Sequence, residues 1–318
     1  MTRYVLSRLL QGVPVLFLIS AIVFGVVAMI PGDPAMVVLG QGATPENLAA
    51  VRERLGLDQP LPVRYATWLR QVLTGDLGTS ILSRQPVAEL IGRALPITLY
   101  LSGLALVLAV AISIPAGTIA ALKRNTWADL LFTAWAFLGV SVPGFWLAIM
   151  LIYLFGVRLQ WVPLEGYVAP TADLGASLRT MALPAFTLGV FLSGPLTRYL
   201  RSSVLETSVQ EYVVVARAKG LAERQVIGRH VLRTSLLPFI TMLGLQVGYL
   251  LGGAVVIENV FALPGIGDLA VSAIGNRDYP VIQGVVLVVA AGVVGANVLV
   301  DVLYAALDPR IRLDRGSG

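Results

Sequence analysis

The residues best suited to gripping another molecule sit in one charged segment, residues 198–233, which reads RYLRSSVLETSVQEYVVVARAKGLAERQVIGRHVLR. Seven basic residues (Arg198, Arg201, Arg217, Lys219, Arg224, Arg229, Arg233) stand there against three acids (Glu206, Glu211, Glu223), between flanks apolar enough to span a bilayer. A charged stretch held between two spans must lie at a membrane face. Tyr212, Ala216 and Gly220 fall four apart and line one side of a helix, and two of the three have almost no side chain, so a second surface can approach closely. Gly220 tolerates the left-handed conformation that ends a helix, and LAERQVIGRHVLR starts another, giving a helix, a tight bend and a helix with the bend protruding. Anionic lipid is a second partner for such a stretch. A DNA-reading helix-turn-helix is disfavoured, because both ends are tethered to spans.

Catalysis has no comparable signature. The two lysines, Lys123 and Lys219, follow no Gly-x-x-x-x-Gly, so no phosphate-cradling loop for ATP is encoded. The single histidine, His230, lies in the basic segment, where a hydrolytic Ser-His pair would need a serine at the same face, and one histidine with no cysteine cannot build a transition-metal cage. No catalytic, cofactor-binding or metal-ligating residue is expected in this chain. Glu258 and Asp301, at the edges of apolar stretches, are the remaining candidates, for a gate contact, an interface or a proton site. Hydration at the interface, or hydrogen bonding to neighbouring helices, is the simpler account of both.

These residues must be positioned by membrane helices. Of 318 residues, 57% are hydrophobic and 13% charged, with mean hydropathy +0.82, against about 45–50% and 25% in soluble domains. Charge-free stretches at Leu9–Gly32, Leu95–Leu122, Leu130–Val157, Thr180–Thr197, Thr234–Ile257 and Tyr279–Val300 predict an all-α integral membrane protein of six transmembrane helices. With the N-terminus inside, the inner segments carry fourteen basic residues (Arg3, Arg8, Lys123, Arg124, the seven above, Arg310, Arg312, Arg315) and the outer ones nine, so both termini are expected in the cytoplasm.

Three parts follow along the chain: an N-terminal anchor helix over 1–32, an extracytoplasmic insertion over 33–94, and a core over 95–318 that carries the 198–233 loop. The first span is too long for a cleaved signal and has no small-x-small site after it, so it should remain as an anchor. In the insertion, Thr44 can cap a helix with Pro45 and Glu46 in its first turn and Gly56 at its end, and PVRYATWLRQVLTG reads as a second helix. Residues 258–278 are expected to form a hairpin with LPGIGD as its turn.

The 198–233 segment resembles the cytoplasmic EAA loop of permease subunits in bacterial binding-protein-dependent ABC importers. With the family's glycine at Gly220, Val214 and Val215 stand where that pattern has Glu and the first Ala, Ala216 at the second Ala, and His230, Leu232 and Arg233 at its Ile, Leu and Pro. The stretch ARAKGLAERQVIGRHVLRTSLLP is similar to the variant in dipeptide and oligopeptide permeases of the B type. So are RYVLSRLLQ at the start, GDLGTSI at 75–81, LGGAVVIENVFALPGIGDLAVSAIGNRDYPVIQG at 251–284 and DVLYAALDPRIR at 301–312. The resemblance covers nearly the whole chain. It implies a type I ABC importer permease fold with a cytoplasmic coupling helix, in a bacterial or archaeal inner membrane. It further implies a second permease subunit (a heterodimer), two cytoplasmic ATPase subunits that hold the ATP and Mg, and an external substrate-binding protein. The coupling residues it points to are Tyr212, Ala216, Arg217, Ala218, Lys219, Gly220, Glu223, Arg224 and Arg229, whose basic members would meet acidic or carbonyl groups of the ATPase. Di- or oligopeptides are the implied cargo, with nickel or its chelates, glutathione and opines as alternatives in the same family. A secondary carrier working without an ATPase is the alternative from another class, weakened by the lack of charge at mid-depth in the spans.

Overall fold

The computed structural model describes residues 2–29, 34–39, 44–54, 56–163 and 166–307. Arg310, Arg312 and Arg315, counted above toward orientation, lie outside them. The described residues form α1 (Thr2–Met29), α2 (Pro34–Leu39), α3 (Pro45–Arg54), α4 (Leu61–Leu73), α5 (Val87–Leu122), α6 (Trp127–Ser141), α7 (Gly144–Leu151), α8 (Leu174–Ser208), α9 (Glu211–Ala218), α10 (Glu223–Gln225), α11 (Arg233–Val260), α12 (Ile266–Gly275) and α13 (Tyr279–Leu307). Short π-helical stretches, Ile152–Arg158 and Val226–Leu232, follow α7 and α10.

Among the described residues, five helical stretches are long and apolar enough to cross a membrane: Ser7–Met29, Val87–Leu122, Leu174–Ser208, Glu223–Gly248 and Tyr279–Val302. The span predicted as one helix over Leu130–Val157 is instead a pair of helices bent by 105° between Ser141 and Gly144. Pro143 causes the break: it forces Val142 out of the helical region, to φ −86° and ψ 125°. The short predicted span Thr180–Thr197 is the middle of the 35-residue α8, which runs through both Pro184 and Pro195.

The chain divides into two compact units, Met1–Thr98 with Pro264–Val294, and Leu99–Leu263 with Gly295–Gly318. In the first, Val87, Ile91, Ile266, Ala273, Ile282 and Val285 share one buried apolar cluster. The predicted hairpin is corrected here: Phe261–Gly265 and Asn276–Asp278 are turn and loop, and Ile266–Gly275 between them is helix. Ile266, Leu269 and Ala273 turn toward that cluster, so apolar spacing at i, i+3 and i+7 outweighed the Pro-Gly and Gly-Asp turn chemistry. Buried Asp278 ties the unit together by accepting from Ser80 Oγ (2.5 Å) and from the Ile81 and Leu82 amides (3.1 and 3.4 Å). The Ile266 amide donates to Thr98 Oγ1 at 2.8 Å.

In the second unit α8 is the central rod, its N-terminus capped by Asp173, which accepts from the Ala176 amide. It meets α6 at backbone distance, since a Cβ on Gly194 would lie 2.7 Å from the Ala136 carbonyl oxygen. A long helix packed this closely can carry a displacement from its end along its length.

Candidate partner-coupling site

The charged loop rests on three elements at its base. Arg201 of α8 makes a two-pronged ion pair with Asp129 of α6, Nε to Oδ1 at 2.7 Å and Nη2 to Oδ2 at 2.8 Å. Asp129 also accepts from the Asn125 amide and Thr133 Oγ1. One turn earlier on α8, the Arg198 guanidinium stands 4.9 Å from the centre of the Phe137 ring. On the α11 side, buried hydroxyls cross-link the helices: Ser203 Oγ donates to the Ser235 carbonyl, and Ser235 Oγ lies within hydrogen-bonding distance of the Ser203 and Val231 carbonyls and of Thr207 Oγ1.

Above this base α9 ends in a tight reversal at Gly220, whose φ of +79° a side chain would strain. The Gly220 amide bonds the Arg217 carbonyl and the Leu221 amide that of Ala216, the paired bonds of a Schellman C-cap. Helix resumes at Glu223 and passes through the π-helical stretch into α11, so the predicted helix, bend and helix are present. Arg217 bridges the bend, its Nη2 2.8 Å from Glu223 Oε1 and its Nη1 3.1 Å from the Ser208 carbonyl at the end of α8. The Glu223 carboxylate raises the Arg217 pKa further above its usual value, so the clamp stays charged across ordinary pH.

This geometry corrects one expectation and adds to another. Ala216, placed on the outward seating face by its spacing from Tyr212 and Gly220, is buried at 4% exposure, and Val213 beside it is fully buried. Val213 and Ala216 are the pair that turns inward, so the free face of α9 is the opposite one, which carries Val214, Val215 and Ala218. Arg217 and Glu223, expected to reach a partner, are engaged with each other. Tyr212, Ala218, Lys219, Gly220, Arg224 and Arg229 are exposed. Around them Val209, Val214, Val215 and Leu221 are exposed apolar residues that the sequence reading passed over. The signal available was the run Tyr212–Val215, too apolar for all of it to face inward on an eight-residue helix. Asp129 was missed as well, although it is a lone acid directly before a long apolar run. Of the two suggested gate residues, Glu258 is completely buried near the end of α11 and Asp301 is half-buried in α13.

A bent, internally braced loop with basic and apolar groups outward can seat in another protein and transmit its movement to α8 and α11. Comparison with known proteins bears on that reading. Residues 113–313 match the family described as binding-protein-dependent transport system inner membrane component, and residues 1–102 match the corresponding N-terminal family. A Brucella abortus (strain 2308) protein provisionally named a peptide transport system permease is 43% identical over 314 residues, 99% of this chain and all of that one. The glutathione transport system permease protein GsiC of Salmonella typhimurium (strain LT2) is 42% identical over 312 residues, 98% of this chain and 99% of that one. Among solved structures, an inward-facing form of the MetNI methionine ABC transporter matches with a TM-score of 0.55 at 18% identity, over 69% of this chain and 96% of that one. At that identity the likeness concerns the fold.

Proposed function

Because the chain belongs to the inner membrane components of binding-protein-dependent transport systems, we propose that it forms half the translocation pathway of an ATP-driven importer of di- or oligopeptides and takes its power stroke through α9 and α10. The observation that carries this is the braced bend: Arg217 holds Glu223 and the end of α8 together, so α9, α10 and the base of the loop can move as one piece. Tyr212, Val214, Val215 and Leu221 then supply the apolar seat, and Lys219, Arg224 and Arg229 its charged rim. ATP and Mg fall to two cytoplasmic ATPase subunits, and this chain contributes no catalytic group. A second, non-identical permease completes the pathway, and an external protein delivers the cargo. Both termini and the loop face the cytoplasm, in keeping with the basic-residue bias. Support for the cargo comes from the peptide and glutathione names of the relatives, glutathione being itself a tripeptide.

The test is reconstitution of the complete complex with Val215→Asp or Leu221→Asp, which put a charge on the exposed seat without disturbing buried residues. Each should leave the permease inserted while ATPase association and peptide uptake fall at least tenfold. Wild-type uptake in both, or uptake by the chain alone without ATP, would overturn the proposal.

A further inference from the structure

The helix α4 was expected in a water-exposed insertion, yet it packs on the middle of a membrane span. Its Tyr65 ring stands 6.1 Å from Phe17 and 5.5 Å from Phe24, and its Trp68 ring 5.6 Å from Phe24, all between ring centres. Tyr65 Oη and Ser20 Oγ are 2.8 Å apart. With about 1.5 Å of rise per residue, Phe17 lies roughly 15 Å and Ser20 roughly 20 Å along α1 from Ser7, and the hydrocarbon layer is only about 30 Å thick. The contacts of α1 with α13, itself the span Tyr279–Val302, fix the level independently. Gly12 abuts Val294, and Val27 shares a cluster with Ile282 and Val285. The stretch from Phe17 to Phe24 lies between those two levels, inside the bilayer.

The chemistry of α4 suits that place. Trp68, one turn after Tyr65, meets Phe24, so the helix climbs toward the C-terminal end of α1 and its first turn is the deepest part. That turn is Pro60-Leu61-Pro62-Val63: the two prolines have no N–H to leave unpaired, and the Val63 and Arg64 amides both bond the Pro60 carbonyl. Of this turn's amides only that of Leu61 is left without a helical partner, which lowers the cost of placing the turn in hydrocarbon, where each unpaired N–H is costly. Leu61 and Val63 are exposed at the deep end, and Arg70 and Gln71 at the shallow end, where a guanidinium can reach lipid phosphate.

We propose that α4 is an amphipathic helix embedded in the leaflet at the C-terminal end of α1, with lipid covering its exposed apolar residues. This holds or fails separately from the coupling role of α9. The sequence has no cysteine, so nitroxide labels placed singly at Val63, Ala66 or Leu73, and at Asn47 and Glu53 of α3 for comparison, can be read in the full complex with cysteine-free partners in phosphatidylethanolamine and phosphatidylglycerol vesicles. The ratio of oxygen to nickel-chelate collisions should be at least threefold higher at Val63 and Ala66 than at Asn47 and Glu53, and should decline toward Leu73. Equal nickel access at Val63, Ala66 and Asn47 would place α4 in water and overturn the proposal. Exclusion of both reagents from Val63 and Ala66 would overturn it too, by showing that another subunit covers the helix.

Discussion

Asp278 and Arg217 each hold a bend in place, but in opposite ways. Asp278 is buried and reaches residues almost two hundred positions away in sequence, as its bond to Ser80 shows. Arg217 is exposed and reaches only six residues ahead to Glu223 and nine back to Ser208. The first fixes one arrangement of its unit, because every polar atom removed from it leaves another stranded away from water. The second braces a small element in water, where a broken bond is replaced by solvent at little cost. Stability should therefore reside in the long-range buried links, and coupling in the local exposed one.

The largest loss of stability is expected at the base of the loop. Asp129→Leu strands the Arg201 guanidinium, which is 28% exposed, and breaking a largely buried pair in this way costs about 3 kcal/mol or more. The double variant Asp129→Leu with Arg201→Met should recover most of the lost thermal stability of the purified complex. A double variant as unstable as the single one would mean that the helices depend on the charges themselves and not on their mutual neutralisation.

Next comes Asp278→Ala, which removes the acceptor of one hydroxyl and two amides and should cost about 2–3 kcal/mol. Asp278→Asn keeps one oxygen and should cost visibly less. If both variants melt with the wild type, the contrast between buried and exposed links is wrong at its firmest point.

How much of this was open to a reader of the sequence follows the same division. The membrane class, the helices of the insertion and the bend at Gly220 were legible, because charge-free length, a Thr44 cap and a left-handed glycine are local signals. The cap is present, the Asn47 amide donating to Thr44 Oγ1 at 3.3 Å, and Gly56 has a φ of +63°. The links of Asp278 to Ser80 and of Asp129 to Arg201 were not legible, since nothing within a few residues of either acid says which distant group it will meet. The orientation of α9 failed for a subtler reason: with Val213, Val214, Val215 and Ala216 consecutive, two neighbouring faces are nearly equally apolar, and only packing chose between them. The placing of α12 shows the reverse case, in which a helical periodicity was present but turn dipeptides were given more weight.

A smaller effect is expected at Gly220. No atom would meet a Cβ there within 4 Å, so Gly220→Val adds backbone strain alone, about 1–2 kcal/mol. It should nevertheless lower the ratio of peptide imported to ATP hydrolysed, by relaxing the bend. Gly220→Asn, which accepts a positive φ more readily, should fall between the two. An unchanged ratio in Gly220→Val would separate the bend from coupling.

The least stability is at stake in Arg217→Gln, and this variant draws the contrast most sharply. Arg217 and Glu223 are both exposed, so water replaces their ion pair and the melting temperature of the complex should not move measurably. What changes is stiffness: without the guanidinium, Glu223 is no longer held to α9, and the Ser208 carbonyl loses its charged donor. The start of α10 can then move independently of α9. ATP hydrolysis should continue while uptake per ATP falls severalfold, and the wild-type protein itself should lose part of its coupling in high salt, which screens exposed pairs. Charge reversal at both positions, Arg217→Glu with Glu223→Arg, restores the pair but not the bond to Ser208, so it should recover only part of the coupling. Full recovery would assign the whole effect to the ion pair, and wild-type coupling in Arg217→Gln at every salt concentration would show that the loop needs no internal brace to transmit force.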